Sequence, residues 1–378
     1  MANIWEHPQV IAAEALRHLE DALVITRMCA MDSTSEFTTR ANGWKKGDTV
    51  SFRTHGDYVS KDFDGEIDIQ GIRTSSRPMM IEKHLDVSVE MTAREEALDL
   101  DSLSDQVIRP ASYRLAEDVE LYVGSKILQA AGLYASDDLM ASAADAAQAR
   151  KTATIQQLAP NRFCVLDVEL EAKVLGQTWF NQSQTRGSDG ETTLRTGMMG
   201  PLMGMDWYAA MSFPSSSHTA GEGASATDNA SGTKNLIGDK VLSIDTLTNQ
   251  IEAGDRLQIA GVRRPLIAAE QTLATSTTVA LVDPITEIIP DNAAVTVVGS
   301  GNTIDFMGAI FDDRSLAVAF PMLDQPGDKV TGVASNNGVS IRVVKGSEMK
   351  TKKTILSMDL LVGAFAFDPR RITLLGQY

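Results

Sequence analysis

Histidine, serine and cysteine side chains are the groups in this sequence that could carry nucleophilic or metal-dependent chemistry. No HExxH pattern occurs, and the histidines are too scattered to predict a metal site. Three serines precede His218, but adjacency in sequence does not bring a hydroxyl within reach of an imidazole, and no GxSxG elbow is present. We therefore interpret the five histidines as single surface or packing residues: His7, His18, His55, His84 and His218.

Phosphate binding by a glycine-rich loop is not predicted either, because no GxxxxGK[ST] pattern occurs. Gly221, Gly223 and Ala226 have the spacing of a dinucleotide fingerprint, but they lie in a polar stretch that is more typical of a flexible hinge. Cys29 and Cys164 fall within apolar patterns, which predicts buried thiols in a reducing compartment. The sequence thus predicts no catalytic residue, no metal ion and no cofactor.

The charge balance limits the partners of the chain. Its 378 residues include 34 Lys and Arg against 50 Asp and Glu, a net charge of −16. A tight nucleic-acid binder needs an excess of basic residues to displace counterions from phosphates, so that class is disfavoured. No signal peptide and no run of 18 apolar residues occurs, which predicts a soluble protein made in the cytoplasm, without a membrane partner.

The elements that would position any site begin with an amphipathic helix over residues 8–31, followed by a polar arm. Alternating polar and apolar residues then predict two antiparallel strands, GDTVSFRTHGDYV and residues 79–91. The long charged segment between them has little to bury. Such a connection argues against the strand assignment unless the loop acts outside its own domain.

The strongest helical pattern starts at Pro110 and continues to Leu133, a predicted rod of roughly 36 Å. Helix and strand patterns alternate over residues 137–213, with a strand at RFCVLDVE, and a Ser, Thr and Gly-rich stretch then marks a domain boundary. Four short strand patterns follow: KVLSIDTL, DRLQIAG, TTVALVDP and AAVTVVGS. Their regular spacing predicts a small inserted barrel or sandwich.

Five segments in this order resemble the major capsid (coat) protein of tailed bacteriophages, in the branch of the short-tailed Salmonella phages. They are GDTVSFRT, RPASYRLAEDVELYVGSKIL, RTGMMGPLMGMDWYAAMSFPSSSHTAGE, IEAGDRLQIAGV with TTVALVDPI, and the closing GVSIRVVKGSEMKTKKTILSMDLLVGAFAFDPRRITLL. The stretch over residues 305–320 lacks the histidine that the family pattern has there. The resemblance implies an α+β fold of the Hong Kong phage ninety-seven type with an inserted small β-barrel.

The resemblance also implies the domain organisation. We expect an N-terminal helix and arm over 1–46, an extended two-stranded loop over 47–91, a peripheral domain with the spine helix over 92–136, an axial domain over 137–231, an inserted β-barrel over 232–302, and the rest of the axial domain with the closing peripheral strands over 303–378.

The function implied is that of a structural protein rather than an enzyme. Copies would form the hexamers and pentamers of an icosahedral virion shell, assembled in the cytoplasm of a bacterial host around double-stranded DNA that is not bound sequence-specifically. Implied partners are a separate scaffolding protein, a portal protein and, as further candidates, decoration proteins. An encapsulin-like nanocompartment subunit and, from another class, a β-rich soluble hydrolase stay open as alternatives.

Charged residues of the loop and of the inserted barrel are the predicted subunit contacts. A charged loop can lie on a neighbouring subunit, where many weak ion pairs add up over a closed lattice. The candidates in the loop region are Arg53, Asp57, Lys61, Asp62, Asp64, Arg73 and Arg77. The candidates in the inserted barrel are Asp255, Arg263, Arg264 and Asp283.

Overall fold

The chain folds into two units, each assembled from separated stretches of sequence. The first contains residues 1–123 and 316–367, and the second contains residues 124–315 and 368–378. The computed structural model describes residues 8–30, 44–53, 65, 76–91, 104–128, 132–181, 188–229, 232–323, 330–348, 353–368 and 371–378. Helices and sheets are mixed in these residues, in line with the predicted α+β class.

Seven α-helices are described. They are α1 (Pro8–Ala22), α2 (Ile25–Met28), α3 (Arg109–Ile127), α4 (Ala143–Ile155), α5 (Val168–Leu175), α6 (Thr178–Asn181) and α7 (Ser188–Thr196). One π-helical turn, Ser104–Ile108, leads directly into α3.

Twenty strands accompany them. They are β1 (Thr49–Arg53), β2 (Ser76–Met80), β3 (Lys83–Met91), β4 (Gly132–Ser136), β5 (Phe163–Leu166), β6 (Gly200–Leu202), β7 (Met205–Ala209), β8 (Ser216–Thr219), β9 (Ala224–Ala226), β10 (Val241–Ser243), β11 (Arg256–Ile259), β12 (Leu266–Ile267), β13 (Thr278–Ala280), β14 (Ala294–Val297), β15 (Thr303–Phe311), β16 (Leu316–Ala319), β17 (Val330–Asn336), β18 (Val339–Glu348), β19 (Lys353–Ala366) and β20 (Ile372–Gln377).

The long strand β19 organises the five-stranded sheet of the first unit. It pairs antiparallel with β18, β16 and β3, and β18 pairs with β17. Helix α1 packs on β17 and β18. Its buried residues recur every three or four positions, which gives the helix one apolar face: Ile11, Ala12, Ala15, Leu16 and Leu19. Gly332 lies against the carbonyl of Pro8, where a Cβ atom would clash.

The predicted helix over residues 8–31 is interrupted. It divides into α1 and α2 around Leu23 and Val24. The cause is a long-range contact: the buried Glu120 carboxylate accepts hydrogen bonds from the backbone N–H groups of Ile25 and Thr26, at 2.7 and 3.0 Å. These donors would otherwise bond to carbonyls of the preceding turn, so a local pattern could not reveal the break.

The two predicted antiparallel strands are confirmed in part, because GDTVSFRTHGDYV contains β1, which pairs antiparallel with Met79 and Met80 in β2. The predicted strand over residues 79–91 is wrong in its extent. It breaks at Ile81 and Glu82 into β2 and β3. Among the described residues, strand β1 pairs only with β2, as a two-stranded ribbon, whereas β3 pairs with β19 over all nine of its residues. The alternation of polar and apolar residues indicated a strand correctly, but it carries no information about the partner strand.

The main sheet of the second unit mixes parallel and antiparallel strands in the order β4-β20-β15-β5-β7-β6, with β8 also on β15. The strand predicted at RFCVLDVE is confirmed as β5. Helix α4 begins at a capping box. The Ser142 hydroxyl accepts a hydrogen bond from the backbone N–H of Asp145, and the Asp145 carboxylate accepts one from the backbone N–H of Ser142. Helices α4, α5 and α6 cover one sheet face around Phe180 and Trp207, both buried.

The predicted long helix is shorter than expected, because α3 ends at Ile127 after 19 residues, or roughly 28 Å. Leu133, which was expected on its apolar stripe, lies in β4 instead. Parallel pairing of β4 with β20 holds this segment extended, and a Cβ atom on Gly132 would lie 2.8 Å from the Ile372 carbonyl oxygen. Pairing with a strand 241 residues away overrides the helical periodicity.

Six short strands of the second unit form a closed circuit. Strand pairing runs β9-β14-β11-β12, and β10 pairs with β13. Bridges between Ala268 and Leu281 and between Thr227 and Ile244 link the two sets at both ends. The four strand patterns predicted from the sequence are confirmed as β10, β11, β13 and β14. Their buried side chains fill the interior of the circuit, including Leu242, Leu257, Val279 and Val295.

Candidate functional site

The predicted contact residues of the loop region fall mainly outside the described residues: Asp57, Lys61, Asp62, Asp64 and Arg73. Arg53 and Arg77 are the exceptions, and their backbones lie in the β1–β2 ribbon. Arg53 is registered opposite Ser76, and Arg77 opposite Phe52. The structure therefore brings these two positions to the same end of the ribbon.

The base of the ribbon is fixed to the first unit. Met79 and Ile81 are fully buried in a cluster with Trp44, Ala319 and Leu361. Two backbone hydrogen bonds close the base, from Gly47 N–H to the Ile81 carbonyl and from Ile81 N–H to the Asp48 carbonyl, both 2.9 Å long. Met80 points the other way and is half exposed. The base of the ribbon is thus held by packing and by hydrogen bonds, and in the sequence the charged segment over residues 54–75 connects its two strands.

Asp255, predicted as a surface contact, is buried, and that prediction is corrected. Its side chain is fully inaccessible. One carboxylate oxygen accepts the N–H groups of Gly221 and Glu252, at 3.1 and 2.7 Å, and the other lies 2.7 Å from Nε2 of His218. The residue holds a turn together inside the chain and is not available to a neighbouring subunit. Its acidic type alone suggested the surface, because the burial comes from residues distant in sequence.

The polar stretch that was predicted to be a flexible hinge is instead an ordered junction between the main sheet and the strand circuit. It contains β8, which pairs with β15, and β9, which pairs with β14. A Cβ atom on Gly221 would lie 2.5 Å from the Gln250 carbonyl oxygen, and one on Gly223 would lie 2.5 Å from the Ile251 side chain. These glycines permit close backbone approach rather than nucleotide binding.

A buried arginine adds to the same junction. The Arg256 guanidinium lies 5.3 Å from the ring centre of Phe306, in a cation–π arrangement, and donates to the Gly254 carbonyl at 3.0 Å. Burial lowers the pKa of Arg256 to about 10, against the opposing effect of Asp255. The side chain stays charged at neutral pH and connects β11 to β15.

An open cleft of about 870 Å³ lies beside the junction, lined in part by His218, Glu222, Asn249, Gln250 and Glu252. A histidine beside a carboxylate can move protons, but here the Nε2 atom is engaged with Asp255. The Glu252 carboxylate accepts from the Gln250 and Gln271 amides. Nε2 of His218 and the Glu252 carboxylate are thus engaged within the chain, in contacts that hold the junction together.

Three predicted contact residues of the strand circuit remain at or near its surface. Arg263 is exposed, and its backbone N–H donates to the Glu287 carboxylate at 3.0 Å. Arg264 is largely buried, with Nε 4.0 Å from the same carboxyl group. Asp283 is partly buried in the loop after β13. The three stay predictions as contacts.

The sequence patterns did not predict the buried polar networks of the first unit. The Asp359 carboxylate on β19 accepts two hydrogen bonds from the Arg342 guanidinium on β18. It also lies 3.0 Å from Nε2 of His84 on β3. Glu120 on α3 also accepts from the Thr26 hydroxyl, at 2.7 Å. The available signal was a charged residue at a core-facing position of an element, which the sequence alone cannot distinguish from a surface charge.

The cysteines are buried, free thiols, as predicted. Burial raises the pKa of both, and the Glu120 carboxylate adds to the rise at Cys29. Across the described ranges, no cluster of three or more His, Cys, Asp or Glu side chains could hold a metal ion. Among the same residues, no helix is long and apolar enough to cross a membrane.

No family model and no curated protein matches the sequence. Similar solved structures include one from Mycobacterium phage Che8, with 10% identity, a TM-score of 0.48 and coverage of 93% of this chain and 90% of that one. The capsid of cyanophage P-SCSP1u has 11% identity, a TM-score of 0.45 and coverage of 90% and 85%. The virus-like particle from Pyrococcus furiosus has 11% identity, a TM-score of 0.39 and coverage of 97% of both chains.

Proposed function

We propose that this chain is the major capsid protein of a tailed double-stranded DNA bacteriophage, a structural protein whose copies build the hexamers and pentamers of an icosahedral shell. A separate scaffolding protein and a portal protein are the proposed assembly partners, with decoration proteins as further candidates. The observation that carries the proposal is the β1–β2 ribbon. It is fixed at its base and continues into a charged connection of 22 residues.

A two-stranded ribbon is marginally stable by itself in water, so it needs another surface. Its base has one, in the cluster around Met79 and Ile81. The connection beyond it carries charges of both signs, including Lys61, Asp62 and Arg73. Such a segment gains little by folding back on an apolar core, but on a neighbouring subunit it can form ion pairs that repeat at every contact of a lattice.

Two further elements are assigned on the same proposal. We propose the closed circuit of six strands as the inserted β-barrel, with Arg263, Arg264 and Asp283 as its contacts to neighbouring capsomers. We propose helix α3, extended at its start by the π-helical turn, as the spine helix. The proposed six-part domain organisation places these elements in the inserted and peripheral domains, respectively.

The net charge of −16 suits a container for DNA. A shell that is filled with a polyanion and later emptied benefits from an inner wall that does not bind the polymer. Like charges repel over about a Debye length, roughly 10 Å at 0.1 M salt, and no counterion release rewards contact. We therefore propose an acidic or neutral lumen surface.

The decisive experiment is to express the chain with and without a candidate scaffolding protein and to image the product by negative-stain electron microscopy. Closed shells tens of nanometres wide are expected, and a chain that stays monomeric in both cases would contradict the proposal. Packaged double-stranded DNA in the natural particle separates a phage capsid from an encapsulin-like nanocompartment, which would hold an enzyme. Hydrolysis of a polysaccharide by the purified chain would favour the hydrolase alternative.

A ribbon variant tests the observation itself. Replacing residues 54–75 by Asn-Gly joins β1 to β2 through a two-residue hairpin turn and keeps the base intact. We expect a folded subunit, verified by circular dichroism, that forms no closed shells. Asp21→Ala, at an exposed position of α1, is the matched control and should assemble like the unmodified chain. Normal shells from the ribbon variant would remove the main support for the proposal.

A further inference from the structure

Strand β3 forms an edge of the five-stranded sheet among the described residues. It is nine residues long, contains neither proline nor glycine, and pairs with β19 in one unbroken register. No described residue pairs with its outer side. A straight edge strand presents alternate N–H and C=O groups to any strand that can align with it.

The opposite edge of the same sheet, strand β17, is covered by other parts of the chain. At β17, the Gln9 amide donates to the Val333 carbonyl at 2.7 Å, and the start of α1 lies against Gly332. Strand β3 has no such cover within the described residues. Its apolar side chains Leu85, Val87 and Val89 stay partly exposed, although the residues opposite them on β19 are fully buried.

The sequence of β3 is complementary to itself in the antiparallel register that pairs all nine of its residues with a second copy. If two copies meet about a two-fold axis at Val87, then Leu85 faces Val89, and Val87 faces its own counterpart. On the polar face, His84 faces Glu90, and Asp86 faces Ser88. Every cross-strand pair is then apolar with apolar, acid with a hydrogen-bond donor, or Lys83 with Met91.

Neighbouring registers lack this complementarity. A shift that centres the two-fold on Asp86 places the two Asp86 carboxylates opposite each other. A shift that centres it on Ser88 places Asp86 opposite Glu90. Like charges directly opposite each other destabilise a strand pair. A shift of the pairing by one residue instead places the apolar side chains of one strand opposite the polar side chains of the other.

We propose that β3 is an interface between two copies of this chain, which join their five-stranded sheets through antiparallel β3–β3 pairing centred on Val87. The contact deepens the proposed shell function and rests on it, because it would link neighbouring subunits of the lattice. Pairing covers Leu85, Val87 and Val89 on the apolar face and satisfies the outer backbone groups of both strands.

A cysteine scan tests both the contact and its register. The single variants Asp86→Cys, Val87→Cys and Ser88→Cys are prepared in the full chain, assembled with the scaffolding candidate and treated with diamide. Diamide takes up two electrons and two protons from a facing pair of thiols as it becomes a hydrazine and the disulfide forms. In the proposed register only residue 87 faces its own copy, whereas residues 86 and 88 are displaced to roughly 7–8 Å from theirs.

We expect covalent dimers of Val87→Cys on a non-reducing gel, at least tenfold more than for the other two variants. The unmodified chain is the background control, since Cys29 and Cys164 are buried. Dimers that form mainly through residue 86 or 88 would overturn the register, and no dimer from any variant would overturn the contact. If shells form but Val87→Cys stays monomeric in them, the β3 proposal fails while the shell function stands. If no shells form, the same scan on the chain in solution still tests the pairing.

Charge variants provide a second measurement that needs no cross-link. Ser88→Lys places a cation opposite Asp86 of the other copy, and Ser88→Asp places a second carboxylate there. Both variants lose the same hydrogen bond from Ser88 to Asp86 in their own chain, so they are matched. Self-association measured by sedimentation should be tighter for the lysine variant than for the aspartate variant, by about 2- to 30-fold over two symmetric contacts. Equal association of the two would contradict the proposed pairing.

Discussion

Two buried carboxylates of the first unit show how the bonding partners of an acid decide its energetic role. Asp359 and Glu120 have the same small exposure, 4% of the residue surface. Asp359 is bonded by a guanidinium and lies beside an imidazole. The Glu120 carboxylate accepts hydrogen bonds from backbone N–H groups, including those of Ile25 and Thr26, and from the Thr26 hydroxyl, and all of these donors are neutral.

The electrostatic consequence differs although the burial does not. Desolvation raises the pKa of Glu120, and the hydrogen bonds of Thr26 and Ile25 oppose the rise without cancelling it. Neutral donors stabilise a buried negative charge less than a guanidinium does. Glu120 therefore fixes the position of α2 at an electrostatic cost, whereas Asp359 belongs to a compensated ion pair that connects β18, β19 and β3.

Removing the paired acid should have the largest effect. Asp359→Ala removes the Asp359 carboxylate from the largely buried Arg342 guanidinium, and breaking a buried ion pair costs about 3–5 kcal/mol. We expect the free energy of unfolding to fall by that amount in urea titration. Glu90→Ala removes an exposed partner of Lys353 on the same sheet and should cost about 0–1 kcal/mol. Equal losses for the two variants would contradict the distinction between buried and exposed acids.

Removing the acid with neutral partners should cost less. Glu120→Ala leaves the backbone N–H groups of Ile25 and Thr26 without acceptors, which costs about 1–3 kcal/mol, but it also removes a buried charge. Unfolding in urea gives the total, and amide hydrogen exchange at Ile25 and Thr26 locates it. Slow exchange at both amides in the variant would show that another acceptor holds α2.

Individual helices and strands were largely predictable, because the periodicity of apolar residues depends only on neighbouring positions in the sequence. Strand β5 and the short strands β10, β11, β13 and β14 follow from alternating or apolar runs bounded by turns. Partners were not predictable from the same patterns. Strand β3 pairs with β19, more than 260 residues later in the chain, and no local feature indicates that choice.

The exposure and flexibility predicted for residues of the junction were wrong, because both properties depend on contacts with residues distant in the sequence. Asp255 stands in a Gly-Asp turn, where an acid is normally exposed, and its burial depends on His218, 37 residues earlier. Gly221 and Gly223 indicated flexibility, whereas each is required for close approach to the segment around Gln250 and Ile251. Residue type shows that a position is unusual, and only the tertiary contacts show whether it moves or packs.

The pH dependence of stability sharpens the comparison further. Burial raises the pKa of Glu120 in the folded state above its ordinary value of 4.5. Between pH 4.5 and the folded pKa, Glu120 is therefore protonated more often in the folded chain than in the unfolded chain. The contribution of Glu120 to stability is therefore fully present below about pH 4.5 and is lost as pH rises through the folded pKa. Glu120→Gln cannot ionise, so the unmodified chain should lose stability relative to this variant across that window. A constant difference between the two unfolding free energies would contradict the raised pKa.

The smallest expected effect concerns the second partner of Asp359. His84 lies 3.0 Å from the Asp359 carboxylate, but its side chain is 38% exposed, and a polar contact with so exposed a partner contributes about 0–1 kcal/mol. His84→Ala should therefore lower the free energy of unfolding at pH 7 by no more than that, because Arg342 still compensates the acid. Lys83→Ala, at the neighbouring exposed position of β3, is the matched control for loss of a side chain from this strand. A loss for His84→Ala that approaches the value for Asp359→Ala would mean that the contact with the imidazole contributes more to stability than the contact with the guanidinium.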